Sequence, residues 1–154
     1  MIKSIIKNKF LLVLTILFII FILIQLVPYG RDHSNPPIVN SVHWDNLKTH
    51  DYFYRACKDC HSNETEWPWY SNIAPVSWLV QSDVDKGRKV LNISESGRAL
   101  RHADDAAEMV EKGEMPLWYY LPAHPEASLS DQEKEEFAAG LSRTFGESKK
   151  NDLD

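Results

Sequence analysis

The sequence predicts an all-α fold, one small helical domain preceded by one N-terminal transmembrane helix, and three observations carry that expectation. An apolar run from Phe10 to Val27 is interrupted only by Thr15 and Gln25. Downstream of it, hydrophobic residues recur at helical spacing. Turn-forming residues separate these segments, and no stretch alternates as a half-buried strand would. With 154 residues and the apolar run set aside, one core is what the chain can build.

Residues 1–27 read as a cytoplasmic start and a signal anchor. As a helix, the run of about 18 residues from Phe10 to Val27 is roughly 27 Å long, just enough to cross a bilayer. Lys3, Lys7 and Lys9 precede it, so the positive-inside rule keeps the N-terminus in the cytoplasm and sends the rest outward. A cleaved signal peptide fits the same pattern. The residues after the run, Gln25 to Gly30, offer no small-x-small site and no lipobox cysteine, which favours an uncleaved anchor.

Residues 28–44, with Pro28, Gly30, Pro36 and Pro37, read as an extended tether. The domain proper is expected over 45–145. Its first helix, from Asp45 to Ala56, has an apolar stripe of Leu47, Tyr52, Phe53 and Ala56 that leads into Cys57. A second follows Pro75 and runs to about Leu91, with proline suited to the first helical position. A third is predicted over Gly97 to Lys112, with Gly113 as its stop. Ser130-Asp131-Gln132-Glu133 is a capping box, and Phe137, Leu141 and Phe145 follow on one face. Residues 146–154 form a polar tail.

The exported part is acidic. Setting aside Lys3, Lys7 and Lys9 leaves 14 of the 17 basic residues against 22 acidic ones, a formal charge of 14 − 22 = −8. That balance repels nucleic acid and anionic lipid headgroups; it either steers a redox protein with a basic docking face or simply keeps the domain in solution.

The chemistry concentrates in Cys57-Lys58-Asp59-Cys60-His61, the C-x-x-C-H spacing of covalent haem c attachment. Two thiols on one turn can each form a thioether to a vinyl group of one porphyrin, and the next residue presents an imidazole to the iron. These are the only two cysteines, so none is left for a cysteine-rich zinc or iron–sulfur site. A thioredoxin-type pair needs a βαβ context that is missing here, and a disulfide closing so short a loop constrains little and does not call for His61. One covalently attached haem c, with His61 as proximal iron ligand, is the expectation. Export agrees with it, since in the c-type cytochromes that the motif resembles, attachment is completed outside the cytoplasm.

The second axial ligand could come from Met109, Met115, His102, His124, His33, His43 or His50. Met115 is expected, because Pro116 and the preceding Gly113 place it in a loop from which the thioether can reach inward. Met109 sits in a predicted helix, where methionine ordinarily packs a core. Histidine–methionine ligation raises the reduction potential and suits electron transfer; an open iron would allow peroxidase or gas-sensor chemistry instead. Trp67, Trp69, Tyr70, Trp78 and Trp118 are candidate haem contacts, since flat side chains cover a porphyrin and their polar tips can reach its propionates. Arg88, Arg98 and Arg101 could pair a propionate, although solvated helix faces are the expectation for them.

Together with Cys57 to His61, the residues Trp67-Pro68-Trp69-Tyr70-Ser71, Ile73-Ala74-Pro75-Val76-Ser77-Trp78-Leu79, Asp83-Val84, Gly87-Arg88, Leu91-Asn92, Met115-Pro116, Tyr120-Leu121-Pro122 and His124-Pro125 form an ordered set. It resembles the bacterial haem-binding domain family of small, usually membrane-anchored monohaem c-type proteins, over roughly residues 30 to 145. Where that family usually has an aromatic pair, this chain has Ile93 and Ser96. The resemblance implies a cytochrome-c-like fold whose first and last helices cross near the haem. Phe53 and Phe137, with Ala138, Ala139 and Gly140 permitting close approach, suit that crossing. The expected function is single-electron transfer at the outer face of the cytoplasmic membrane, in the periplasm or cell exterior. No residue set shows the spacing of a catalytic site, so the chain reads as a carrier rather than an enzyme. The alternatives are a haem peroxidase or gas sensor with an open distal site, and a non-haem, disulfide-stabilised interaction module.

Overall fold

The computed structural model describes residues 2–100 and 102–146. Among them every regular element is helical: α1 (Ile2–Ile24), α2 (Leu47–Ala56), α3 (Lys58–His61), α4 (Val76–Val90), α5 (Ala106–Glu111) and α6 (Asp131–Phe145), with short 3-10 turns between. The all-α expectation holds. The chain divides into two compact units, Met1–Ser34 with Trp67–Ser82, and Asn35–Glu66 with Asp83–Asp154.

In the first unit, the residues of α1 from Phe10 onward expose apolar side chains on every face. Among the described residues no helix is long and apolar enough to cross a membrane, and the expected transmembrane helix over Phe10 to Val27 is corrected accordingly. The physical reason is length: α1 ends at Ile24, so its apolar part from Phe10 rises about 22 Å against a hydrocarbon core of about 30 Å. Gln25, Leu26 and Val27 continue only as tight turns onto Ile22, Leu23 and Ile24. The Gln25 amide then pins the end of the helix, donating to the Ala74 carbonyl at 2.9 Å and accepting the Ala74 N–H at 3.0 Å. Further on, His33 stacks on Trp67 with ring centroids 4.7 Å apart.

The second unit has the hydrophobic core. Asn46 caps α2, its side chain accepting the Thr49 N–H, and Ser130 and Glu133 form the expected capping box on α6. The two helices pack closely because α6 has Gly140 at the contact. A Cβ there would lie 2.0 Å from Thr49 Oγ1, so no larger residue fits without displacing α2. Phe53, Phe137 and Ala138 are fully buried at this junction, and Tyr52 meets Phe137 edge-on at 5.7 Å. Leu91, Ile93, Ala107, Val110, Ala127, Leu129 and Leu141 complete the core. Burial of aromatic and branched side chains at this density is the main stabilising contribution.

Two expectations change in detail. The predicted helix over 97–112 is broken into a 3-10 turn, Gly97–Leu100, and the short α5. His102, Asp104 and Asp105 are poor helix formers, and the backbone at Ala103, Asp105 and Ala106 bonds three residues back instead of four. The 28–44 stretch lacks regular structure, yet its second half is fastened down: Val39 and Asn40 donate to the Ser94 carbonyl, and Val42 and Trp44 pack on the core. The polar tail lies outside the described residues except for Gly146, which ends α6 with φ +92°.

Candidate functional site

Cys57 is the joint between α2 and α3. Its N–H closes α2 onto the Phe53 carbonyl at 2.8 Å, and its own carbonyl accepts the N–H groups of Cys60 at 3.1 Å and His61 at 2.9 Å. One tight turn therefore presents both thiols and the imidazole. Both cysteines are free and half-buried. Burial pushes each thiol up to about 12, reinforced at Cys57 by Cys60 and at Cys60 by the negative charges of Asp59 and Asp83. Neutral thiols in an apolar setting are poor metal ligands as they stand.

His61 is held by its other ring nitrogen. Its Nδ1 lies 3.0 Å from the Leu91 carbonyl. A carbonyl only accepts, so Nδ1 has the proton and Nε2 keeps its lone pair for a metal. Burial also disfavours the imidazolium, lowering the His61 pKa against the smaller opposing effect of the Leu91 and Gly87 carbonyls. At neutral pH the ring is a neutral ligand with a fixed tautomer.

The surrounding chain makes that orientation rigid. Ile93 N–H donates to the His61 carbonyl at 2.9 Å, while Asn63 N–H donates to Ser94 Oγ and Asn92 Nδ2 to Asn63 Oδ1. Asn63, Asn92 and Ser94 are buried and bonded to one another, and buried Ser62 donates to the Lys58 carbonyl, which offsets the cost of burying them. Arg88 donates to the Ser62 carbonyl, Thr65 Oγ1 and Asn35 Oδ1. It therefore braces the loop after His61 instead of lying on a solvated face. The second half of α4 reaches this loop through Gly87, where a Cβ would sit 2.4 Å from the Cys60 carbonyl oxygen.

Within the C-x-x-C-H turn, Asp59 is also fully engaged. Its carboxylate accepts the Glu66 N–H at 3.0 Å and the Tyr120 hydroxyl at 2.9 Å. Burial and the Asp59 charge together raise the Tyr120 pKa, so the phenol stays a donor. The His124 ring stacks on Tyr120 at 3.9 Å, its Nδ1 3.1 Å from Glu126 Oε1.

The remaining predicted site residues are placed as follows. Met115 is half-buried, and its N–H bonds to the Met109 carbonyl at 3.2 Å after a turn through Gly113. Met109 is half-buried on α5 and not part of the core. Trp67, Trp69, Tyr70 and Trp78 belong to the first unit. Trp67 and Trp78 bury indole N–H groups that find no acceptor among the described residues, while Trp69 is 75% exposed. Trp118, in the second unit, is 79% exposed. His102 is exposed beside Asp105. Of the other two arginines, Arg101 and the side chain of Arg98 lie outside the described structure.

Sequence reasoning did not find the roles of Asp59, Tyr120, Asn63 or Ser94. A mid-helix glycine at 87 is the one local signal that pointed to a close approach, since glycine is costly in a helix interior.

The arrangement fits a haem. Two thiols and an imidazole share one turn, and the imidazole has its proton on the nitrogen away from the metal. A sequence model of the haem-binding domain family matches residues 19–143. No curated protein and no solved structure matches the chain.

Proposed function

The chain belongs to the haem-binding domain family, and on that premise we propose that it is a monohaem c-type electron carrier with a cytochrome-c-like fold. Cys57 and Cys60 hold the cofactor through thioethers, and His61 Nε2 is the proximal ligand. The observation that carries this is the 3.0 Å bond from His61 Nδ1 to the Leu91 carbonyl, which sets the ring for ligation without any help from the cofactor. When bound, haem supplies a one-electron couple, and the protein's part is to ligate the iron, exclude water and fix the potential.

Met115 is the sixth ligand in this reading, offered from the loop after Gly113. A second reading with His124 in that place is favoured by one observation, the stacking of its ring on a tyrosine that is bonded to Asp59. Spectra of the exported holoprotein separate them. Met115→Ala converts a low-spin iron to high-spin if Met115 ligates, and His124→Ala does so if His124 ligates. If neither variant changes a spectrum that is already high-spin, the distal site is open and the peroxidase or sensor alternative takes over. A reversible one-electron wave in voltammetry is the expected sign of a carrier.

The apolar surface of α1 supports placement at a membrane, with the remainder of the chain on the outer side of the cytoplasmic membrane where c-type attachment is completed. Co-sedimentation with the membrane fraction and protease access from the outer side test it. Recovery of the chain in the soluble fraction, or protection from the protease, contradicts it.

A further inference from the structure

Trp118 exposes 79% of its surface, whereas the aromatic residues of the second unit's core are buried. It is not isolated. Its ring meets Tyr119 edge-on at 5.6 Å, and the Tyr119 hydroxyl donates to Asp83 Oδ2 at 3.2 Å. Asp83 is one helical turn before Gly87 on α4, and a Cβ at Gly87 would lie 2.4 Å from the Cys60 carbonyl oxygen. Lys86, one helical turn beyond Asp83, is the cation that acts on Asp83. A large exposed indole thus stands next to a tyrosine bonded to Asp83, on the helix that meets Cys60, in a chain whose part beyond Lys9 has a formal charge of −8.

We infer that the surface formed by Trp118 and Tyr119, edged by Asp83, is the docking face for a redox protein that offers an apolar contact inside a basic rim. This rests on the electron-carrier reading above. Tryptophan and tyrosine are enriched at binding hot spots. Asp83 beside the pair and the acidic field of the chain steer a basic partner and repel an acidic one. Cys60 is one of the two points where the porphyrin is bonded to the chain, so a partner seated here lies close to the cofactor edge. The transfer is one electron from ferrous iron to the partner's oxidised one-electron metal centre, leaving ferric iron here and a reduced metal there, with no proton moved.

The test uses the reduced holoprotein and, as probe, a basic ferric cytochrome c of the mitochondrial type. The bimolecular rate of oxidation is expected to fall steeply with added salt. Trp118→Ala, compared with wild type at equal haem content, is expected to slow it about tenfold, and Trp69→Ala, the exposed indole of the other unit, to leave it within about twofold. In a titration of the ferric, isotope-labelled protein, the Trp118 indole N–H resonance is expected to shift on addition of the probe. Unchanged rates in Trp118→Ala, or an indole resonance that shifts only with the protein's own concentration, overturn the docking assignment, the latter pointing to a second copy on this face. Oxidation by ferricyanide separates the two readings: wild type that ferricyanide oxidises but the probe does not defeats the docking face alone, and wild type inert to both defeats the carrier reading.

Discussion

The two sides of the proposed iron site are built differently. On the His61 side, the ring, the carbonyl of His61 and the loop that follows are tied to Leu91, Ile93, Asn92 and Ser94 by backbone and buried side-chain bonds. On the Met115 side, a half-buried side chain sits on a loop whose backbone bond to Met109 follows a positive-φ glycine. The proximal ligand is thus preorganised by the protein, and the distal one is offered from a turn. Ligand exchange and tuning of the potential therefore belong to the Met115 side, while retention of the cofactor belongs to the other.

The largest expected effect breaks the rigid side. His61→Ala removes the proximal ligand and leaves the Leu91 carbonyl without its donor, so the low-spin spectrum is lost entirely; absorption spectra of the exported protein check this. Gly87→Ala is next, since a Cβ 2.4 Å from the Cys60 carbonyl must push α4 off the attachment turn. A cost of about 1–3 kcal/mol is expected, read as a lower denaturation midpoint together with a lower yield of haem-loaded protein. Met115→Ala sharpens the contrast from the other side: haem stays covalently bound while the potential falls and the iron becomes high-spin, seen by voltammetry and absorption. Tyr120→Phe, which only deletes the hydroxyl on Asp59, is expected to cost about 1 kcal/mol with an unchanged spectrum.

The pH dependence follows the same division. Burial lowers the His61 pKa in the folded protein below the ordinary value of 6.5. Unfolded chain therefore binds a proton near 6.5 that folded chain refuses, so stability from this group is full above that pH and is lost as pH falls toward the folded value. In the haem-free protein, a ring-proton NMR titration is expected to put the His61 midpoint below 6.5. A midpoint at or above 6.5 would place the His61 ring in water.

What was legible in the sequence was local. The C-x-x-C-H spacing needs only one turn of chain, and the Ser130 to Glu133 box and the Phe137, Leu141, Phe145 stripe are written in neighbouring residues. Gly140, flagged for close approach, does meet Thr49. The proximal brace was not legible, because Leu91, Asn92 and Ser94 reach His61 and Asn63 across some 30 residues of intervening chain. A polar pair such as Asn63 and Asn92 reads as loop surface until the fold buries both. The break near residue 102 was missed for the opposite reason: Leu100, Ala103, Ala107 and Val110 keep helical spacing even though the residues between them form turns. Arg88, expected on a solvated face, is brought by the close approach at Gly87 to the Ser62 carbonyl and the Thr65 hydroxyl.

The most direct test is the intact mass of the exported chain, made in a host with c-haem maturation machinery. The account predicts a gain of one haem, abolished in a Cys57→Ser, Cys60→Ser double variant. A bare wild-type chain, or one lighter by two hydrogens from a disulfide, would contradict it.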